Sequence, residues 1–285
     1  MRQQAQDLAA TLPPLLVAAQ RVAHTVAPGA HGRRRAGLGD DFWQFRPYQP
    51  FDSVRAIDWR RSAMGEVTFV REREQATAQT VHLWRDPSPS MRWRSERSLP
   101  EKRERATLLT MALGVLLIEA GERVGLLGEA IRPRTGRPAL EPMAALLSAT
   151  ADTTGSLPLY EPLPRHGTAV LIGDLLDPLA DIDALVRRWA AEGVRGHLLQ
   201  VTDPAEESFP FRGRVRFEGL EREVPHLLGR AERVAEDYTE RFARHRDGLA
   251  EIARRAGWTF AHHATDRPAE AALLSLYTVI AERPS

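Results

Sequence analysis

The chain has 285 residues, 43% of them hydrophobic and 27% charged, with a formal net charge of +1. That balance supports a buried core and excludes broad electrostatic attraction to nucleic acid or anionic membrane. Cysteine is absent, which removes disulfides, zinc–thiolate sites, iron–sulfur clusters and thiol nucleophiles, and fits a reducing, cytoplasmic setting.

Leu8, Leu12, Leu15, Leu16, Ala19, Val22 and Val26 recur at helical spacing, which predicts a helix over residues 3–26. Pro13-Pro14 predicts a break or a fresh start within it, and Pro28-Gly29 a stop. Residues 29–41 read as a Gly- and Arg-rich loop. Residues 42–75 mix aromatic and charged side chains without a clean period, apart from a candidate strand over Val67–Val70. They read as an irregular segment folded onto another domain.

From residue 78 the pattern becomes strand–helix alternation. Strands are expected at Thr80–Trp84, Arg123–Leu127, Ala169–Ile172, Gly196–Val201 and Trp258–His262. Helices are expected at Glu101–Ala120, Ala139–Ser148, Asp181–Ala191, 229–255 and Ala269–Ala281, with a hairpin or edge strand over 211–218. The apolar run Leu108–Ile118 falls short of the ~20 residues a bilayer requires, so a buried helix is expected and no membrane partner. No secretory signal is read at the N-terminus. The organisation is therefore an N-terminal segment, 1–77, and an α/β domain, 78–285, with a mostly parallel sheet covered by helices on both faces.

In such sheets ligands bind beyond the carboxyl ends of the strands. Three loops there begin with aspartate: Asp86, Asp174 and Asp203. The first reads Asp86-Pro87-Ser88-Pro89-Ser90, one carboxylate and two hydroxyls within five residues. All are hard oxygen donors of the kind magnesium, manganese or calcium accepts, and Asp174 can join them. The same string also suits an ordinary turn. A phosphohydrolase of haloacid-dehalogenase type would use Asp86 as nucleophile, but that chemistry wants a second carboxylate where Ser88 stands. No nucleophile elbow surrounds Ser88 or Ser90, and no phosphate-binding Gly-x-x-x-x-Gly-Lys-Ser/Thr loop occurs.

The strings Gly37-x-Gly39-x-x-Phe42-x-x-x-Arg46-x-Tyr48, Asp52-x-x-Arg55-x-Ile57-Asp58-Trp59-x-x-Ser62-Ala63, Val70-Arg71-Glu72 and Asp86-x-Ser88-x-Ser90-Met91 together resemble the domain of unknown function 58 family. Lys102, Val170–Asp174 and Thr202-Asp203-Pro204-x-Glu206 continue the resemblance. It implies a von Willebrand factor A-like fold with a metal-ion-dependent adhesion site. It also implies action beside a MoxR-type AAA ATPase in assembling or activating other proteins. Such a site adds a threonine from a second loop; Thr135 is nominated by its place before the Ala139–Ser148 helix, with Thr153 and Thr154 as rivals.

The expected ligands are thus Asp86, Ser88, Ser90, Asp174 and Thr135, and the expected function is metal-dependent, non-catalytic protein binding. Arg46, Tyr48, Arg55, Asp58 and Trp59 are the candidate partner-binding residues, since Arg, Trp and Tyr are enriched at interface hot spots. Nucleic-acid binding through residues 31–75 is the weaker alternative, because seven acidic residues lie among the arginines. Asp58 is expected to be buried against an arginine. Lys102 reads as opening a helix beside the metal loop, with simple solvation as the alternative. His262 and His263, adjacent in a strand, point to opposite faces and do not suit one metal.

Overall fold

The computed structural model describes residues 14–31, 42–49, 54, 57–63, 65, 67–73, 78–129, 132–149, 155–220 and 224–281. The chain divides into two compact units, 1–30 with 79–285, and 31–78. The first helix, α1 (Pro14–His31), runs past the expected stop at Pro28-Gly29. A proline removes one backbone bond and crowds the carbonyl four residues back, which here does not end the helix. Leu16, Ala19, Ala23 and Val26 of α1 are buried in the core of the sheet unit. The helix therefore groups with that unit and not with the Arg/aromatic segment. Most of the Gly- and Arg-rich loop lies outside the described residues.

The described part of residues 31–78 is more regular than its sequence suggests. Strands β1 (Phe42–Pro47) and β2 (Phe69–Arg73) pair antiparallel, with a register shift between Phe42 and Gln44. Between them a single helical turn, α2 (Trp59–Ser62), explains the Ile57-Asp58-Trp59-x-x-Ser62 string. Asp58 is the N-cap, its Oδ1 accepting from Arg61 N at 3.0 Å. Ser62 Oγ donates to Asp58 O at 2.8 Å and accepts from Phe69 N at 2.9 Å, so one hydroxyl ties the turn to β2. Asp58 is half-buried and serves as a cap, not as the buried partner of an arginine side chain. Trp59 is 64% exposed and Tyr48 half-buried. Arg46 pairs through its backbone with Val70, and Arg55 lies outside the described residues.

The sheet unit is built as the alternation predicts. In order come β3 (Thr80–Arg85), α3 (Lys102–Glu119), β4 (Arg123–Leu126), α4 (Leu140–Ala149), β5 (Thr168–Gly173), α5 (Leu179–Ala191) and β6 (Arg195–Thr202). Then follow α6 (Pro204–Ser208), β7 (Val215–Phe217), β8 (His226–Leu228), α7 (Ala235–Arg255), β9 (Thr259–Ala264) and α8 (Ala269–Ala281). Five strands form one all-parallel sheet in the order β4-β3-β5-β6-β9. Residues 211–218 do not join it; β7 pairs only with β8, in a separate antiparallel ribbon.

Both faces of the sheet are buried, as parallel sheets require. Val81, Leu83, Val170, Ile172, Leu199 and Val201 face α1, α3, α4 and α8. Trp84, Ala169, Leu171 and Leu198 face α5 and α7. The run Leu108–Ile118 becomes the largely buried half of α3. No helix among the described residues is long and apolar enough to cross a membrane.

Close approach decides one position in the second face. A Cβ on Gly196 would lie 2.2 Å from Trp258 Cε3. Trp258 cannot retreat easily: it stacks on Trp189 at 6.2 Å and donates through Nε1 to Val194 O at 3.1 Å. Gly196→Ala is therefore expected to destabilise the protein by about 1–3 kcal/mol. Denaturant unfolding reads this as a lower midpoint; an unchanged midpoint would mean that Trp258 shifts freely.

Candidate metal centre

The strand order places the site. The chain runs from β3 out to β4, then crosses back to β5 on the other side of β3. The β3–β5 boundary is therefore the topological switch point, where the outgoing loops diverge and leave a crevice. Asp86 follows β3 and Asp174 follows β5. Asp86 N still donates to Ile172 O at 2.9 Å, extending the ladder by one residue. Met91, wholly buried, anchors the far end of the loop in the core.

Gly173 permits the contact between the two loops. A Cβ there would lie 2.6 Å from Asp86 Cβ and 2.9 Å from Asp86 Oδ2. Asp86 and Ser88 are fully buried. Asp86 Oδ1 accepts from Ser88 N at 2.8 Å, while its Oδ2 is buried with no hydrogen-bond partner among the described residues. Ser88 Oγ and Ser90 Oγ are 2.9 Å apart, and Ser90 Oγ donates to Asp174 Oδ2 at 2.8 Å. Four of the expected ligands thus meet in one cluster. Thr135 is exposed in the loop between β4 and α4, outside the hydrogen bonds that tie the cluster together. Thr153 and Thr154 lie outside the described residues.

Lys102 and Glu206, which the family resemblance includes without giving either a ligand role, complete the cluster. Lys102, 1% exposed at the start of α3, is not solvated. Its Nζ donates to Asp174 Oδ2 at 3.0 Å and to Glu206 Oε1 at 2.6 Å. Burial opposes its charge, but attraction to Asp174 and Glu206 wins and holds the ammonium pKa above its ordinary value. Burial raises the Glu206 pKa despite Lys102. The third expected aspartate plays a different part. Asp203 caps α6 through Ala205 N at 2.8 Å and accepts from Ser95 N at 2.8 Å. A fourth acid, Asp177, lies just beyond Asp174, its pKa raised by burial.

The charge count leaves an excess of negative charge. Asp86, Asp174, Asp177 and the largely buried Glu206 are four carboxylates against the Lys102 ammonium and the buried Arg85 guanidinium, which donates to Asp86 O at 3.1 Å. Burial, and then the charge of Asp174, outweigh the hydrogen bonds from Ser88 and push Asp86 up to about 7. His262 and His263 stay apart, as their alternation predicts. His262 Nε2 meets Thr202 Oγ1 at 3.1 Å, and His263 Nε2 meets Arg105 Nη1 at 2.9 Å.

The family described as protein of unknown function DUF58 matches residues 44–248. The chain belongs to that family. The DUF58 match runs from β1 to the middle of α7, so it takes in both units and the whole cluster. Uncharacterized protein Mb1516 of Mycobacterium bovis is 29% identical over 279 residues, 91% of this chain and 86% of that protein. Uncharacterized protein Rv1480 of Mycobacterium tuberculosis matches to the same extent. Among solved structures, the conserved hypothetical protein BatB from Bacteroides thetaiotaomicron is 16% identical, covering 72% of this chain and all of its own, at a TM-score of 0.40. An aerotolerance-related membrane protein from Bacteroides fragilis is 17% identical, covering 71% of this chain and all of its own, at a TM-score of 0.42.

Proposed function

We propose that this DUF58 protein is a non-catalytic, metal-dependent protein-binding module of von Willebrand factor A-like type, with magnesium, manganese or calcium at the Asp86 loop. One observation carries the reading: Asp86 Oδ2 is buried without a hydrogen-bond partner among the described residues, in the loop whose Ser88 and Ser90 hydroxyls join Asp174. A buried orphan oxygen is costly unless something compensates it. A divalent cation does so and also offsets the excess negative charge.

The donor set fits. Magnesium bonds of about 2.0–2.1 Å in an octahedron give oxygen–oxygen edges near 2.9 Å. The serine–serine spacing of 2.9 Å matches that edge. Asp86, Ser88 and Ser90 would hold the ion directly. Asp174 Oδ2 already accepts from Ser90 and Lys102, so it orients the hydroxyl and adds charge from one shell out. The bound ion would offer an open position to a carboxylate of a partner protein. Ser88, in the place where a phosphohydrolase needs its second carboxylate, favours binding over catalysis.

The partner we propose, on the family resemblance, is a MoxR-type AAA ATPase or its client in the cytoplasm. The exposed Trp59 and the half-buried Tyr48 support a second docking surface in residues 31–78. Calorimetry with magnesium and with manganese tests the metal. Saturable binding is expected for the native protein, weakened about ten-fold or more by Ser88→Ala with Ser90→Ala. Failure of both ions to bind the native protein would overturn the reading.

A further inference from the structure

Beside the cluster lies a pocket of about 560 Å³, within the range of ligand-binding sites. Its floor is polar and belongs to the cluster: Ser90, Lys102 and Glu206. The rest of its lining is mainly apolar, with Trp93, Leu176, Phe209, Phe211, Phe217 and Tyr238, and Glu218, His226, Asp237 and Arg241 add polar groups. The rings pack on one another before any ligand arrives. Phe209 stacks on Phe217 at 5.7 Å and lies 4.7 Å from Tyr238, and Phe211 meets Phe209 and Phe217 edge-on at 5.2 Å. Phe209 closes α6 at a φ of +43°, a conformation that bulky side chains rarely adopt. The strained turn seats this ring in the wall.

The mouth is apolar as well. Leu176 and Leu220 line the pocket and are 43% and 48% exposed. Leu228 of β8 lines it as well. A small molecule would fill the pocket but leave this rim wet. A protein segment covers both.

We infer that this pocket takes the apolar side chain next to the acidic residue captured at the metal loop. The ligand is a protein segment in which Asp or Glu is followed by an aromatic or large aliphatic residue. This rests on the metal-dependent reading. The acid is assigned to the metal and not to Lys102, because that ammonium already serves Asp174 and Glu206. The pocket would supply sequence preference, where the ion alone would accept any exposed carboxylate.

The test uses three blocked tetrapeptides, Gly-Asp-Phe-Gly, Gly-Asp-Ala-Gly and Gly-Asn-Phe-Gly, titrated into the full chain with magnesium and again with a chelator. The first is expected to bind about ten-fold or more tightly than either of the others, since burying a phenyl group accounts for that much. The chelator is expected to abolish its advantage. Leu220→Glu, at the exposed rim, is expected to erase the preference for Phe over Ala. Equal binding of the Phe and Ala peptides would overturn the pocket assignment while leaving the metal reading intact. Equal binding of the Asp and Asn peptides, or no binding of any, would overturn the joint site. Magnesium calorimetry decides the metal reading separately.

Discussion

Lys102→Met is expected to destabilise the protein by about 3–5 kcal/mol at neutral pH, the range seen when one partner of a buried ion pair is removed. Methionine keeps much of the volume but none of the charge. Asp174 and Glu206 would then be buried without their shared cation, their side chains 2% and 13% exposed. The loss should come from stranded charge more than from packing, and a second variant separates the two. Adding Glu206→Gln to Lys102→Met removes one stranded carboxylate and is expected to recover part of the loss. Chemical unfolding of the single and double variants checks this. A Lys102→Met loss below about 1 kcal/mol would match an exposed pair and contradict the buried geometry.

Asp86→Asn is expected to do the opposite when metal is removed by a chelator. Burial and Asp174 raise the Asp86 pKa from 3.8 to about 7 in the folded chain. A raised carboxylate pKa contributes stability that is fully present below the unfolded value and lost as pH rises through the folded one. Above pH 7 the metal-free protein therefore bears the cost of a buried charge. Each tenfold change in proton affinity between the unfolded and folded chain is worth about 1.4 kcal/mol, so at pH 8 the asparagine variant should be more stable by on the order of 2–4 kcal/mol. Near pH 4 the advantage should vanish. His197 and His263, held near 4 by burial, act in the other direction, their stabilisation being lost as pH falls through that value. They are common to both proteins and cancel in the difference. With magnesium the order should reverse, because only the native protein gains from the ion. Identical pH curves for the two proteins under chelation would sink this account.

Much of the fold was legible because it depends on short-range pattern. Each strand of the main sheet was expected within about two residues, as short apolar runs bounded by turns and alternating with helices allow. In the antiparallel ribbon, the candidate strand over Val67–Val70 anticipated only the start of β2, and β1 was missed because Phe-Trp-Gln-Phe-Arg-Pro shows no clean alternation of apolar and polar residues. Asp58 looked like half of an ion pair; the backbone of α2 made it a cap. In the loop after β3, Asp86, Ser88 and Ser90 were readable as oxygen donors from spacing alone. Lys102 was placed beside that loop at the start of a helix, but its burial and its bond to Glu206 were not readable, since a lysine there normally faces water.

The sequence by itself determined which segments are strands and helices, that both faces of the sheet are apolar, and that acids stand at the strand ends. Those are local properties, set by the alternation of side chains along a strand and the turn of a helix. Only the tertiary structure decided which ends meet. Crossing from β4 back over β3 to β5 brings Asp86 against Asp174, and Gly173 lets them touch. It leaves Asp203 to cap α6 and brings Lys102 to Glu206 across 104 residues of chain. Such pairings are paid for by the burial of the whole sheet, so no window of sequence short enough to read contains them.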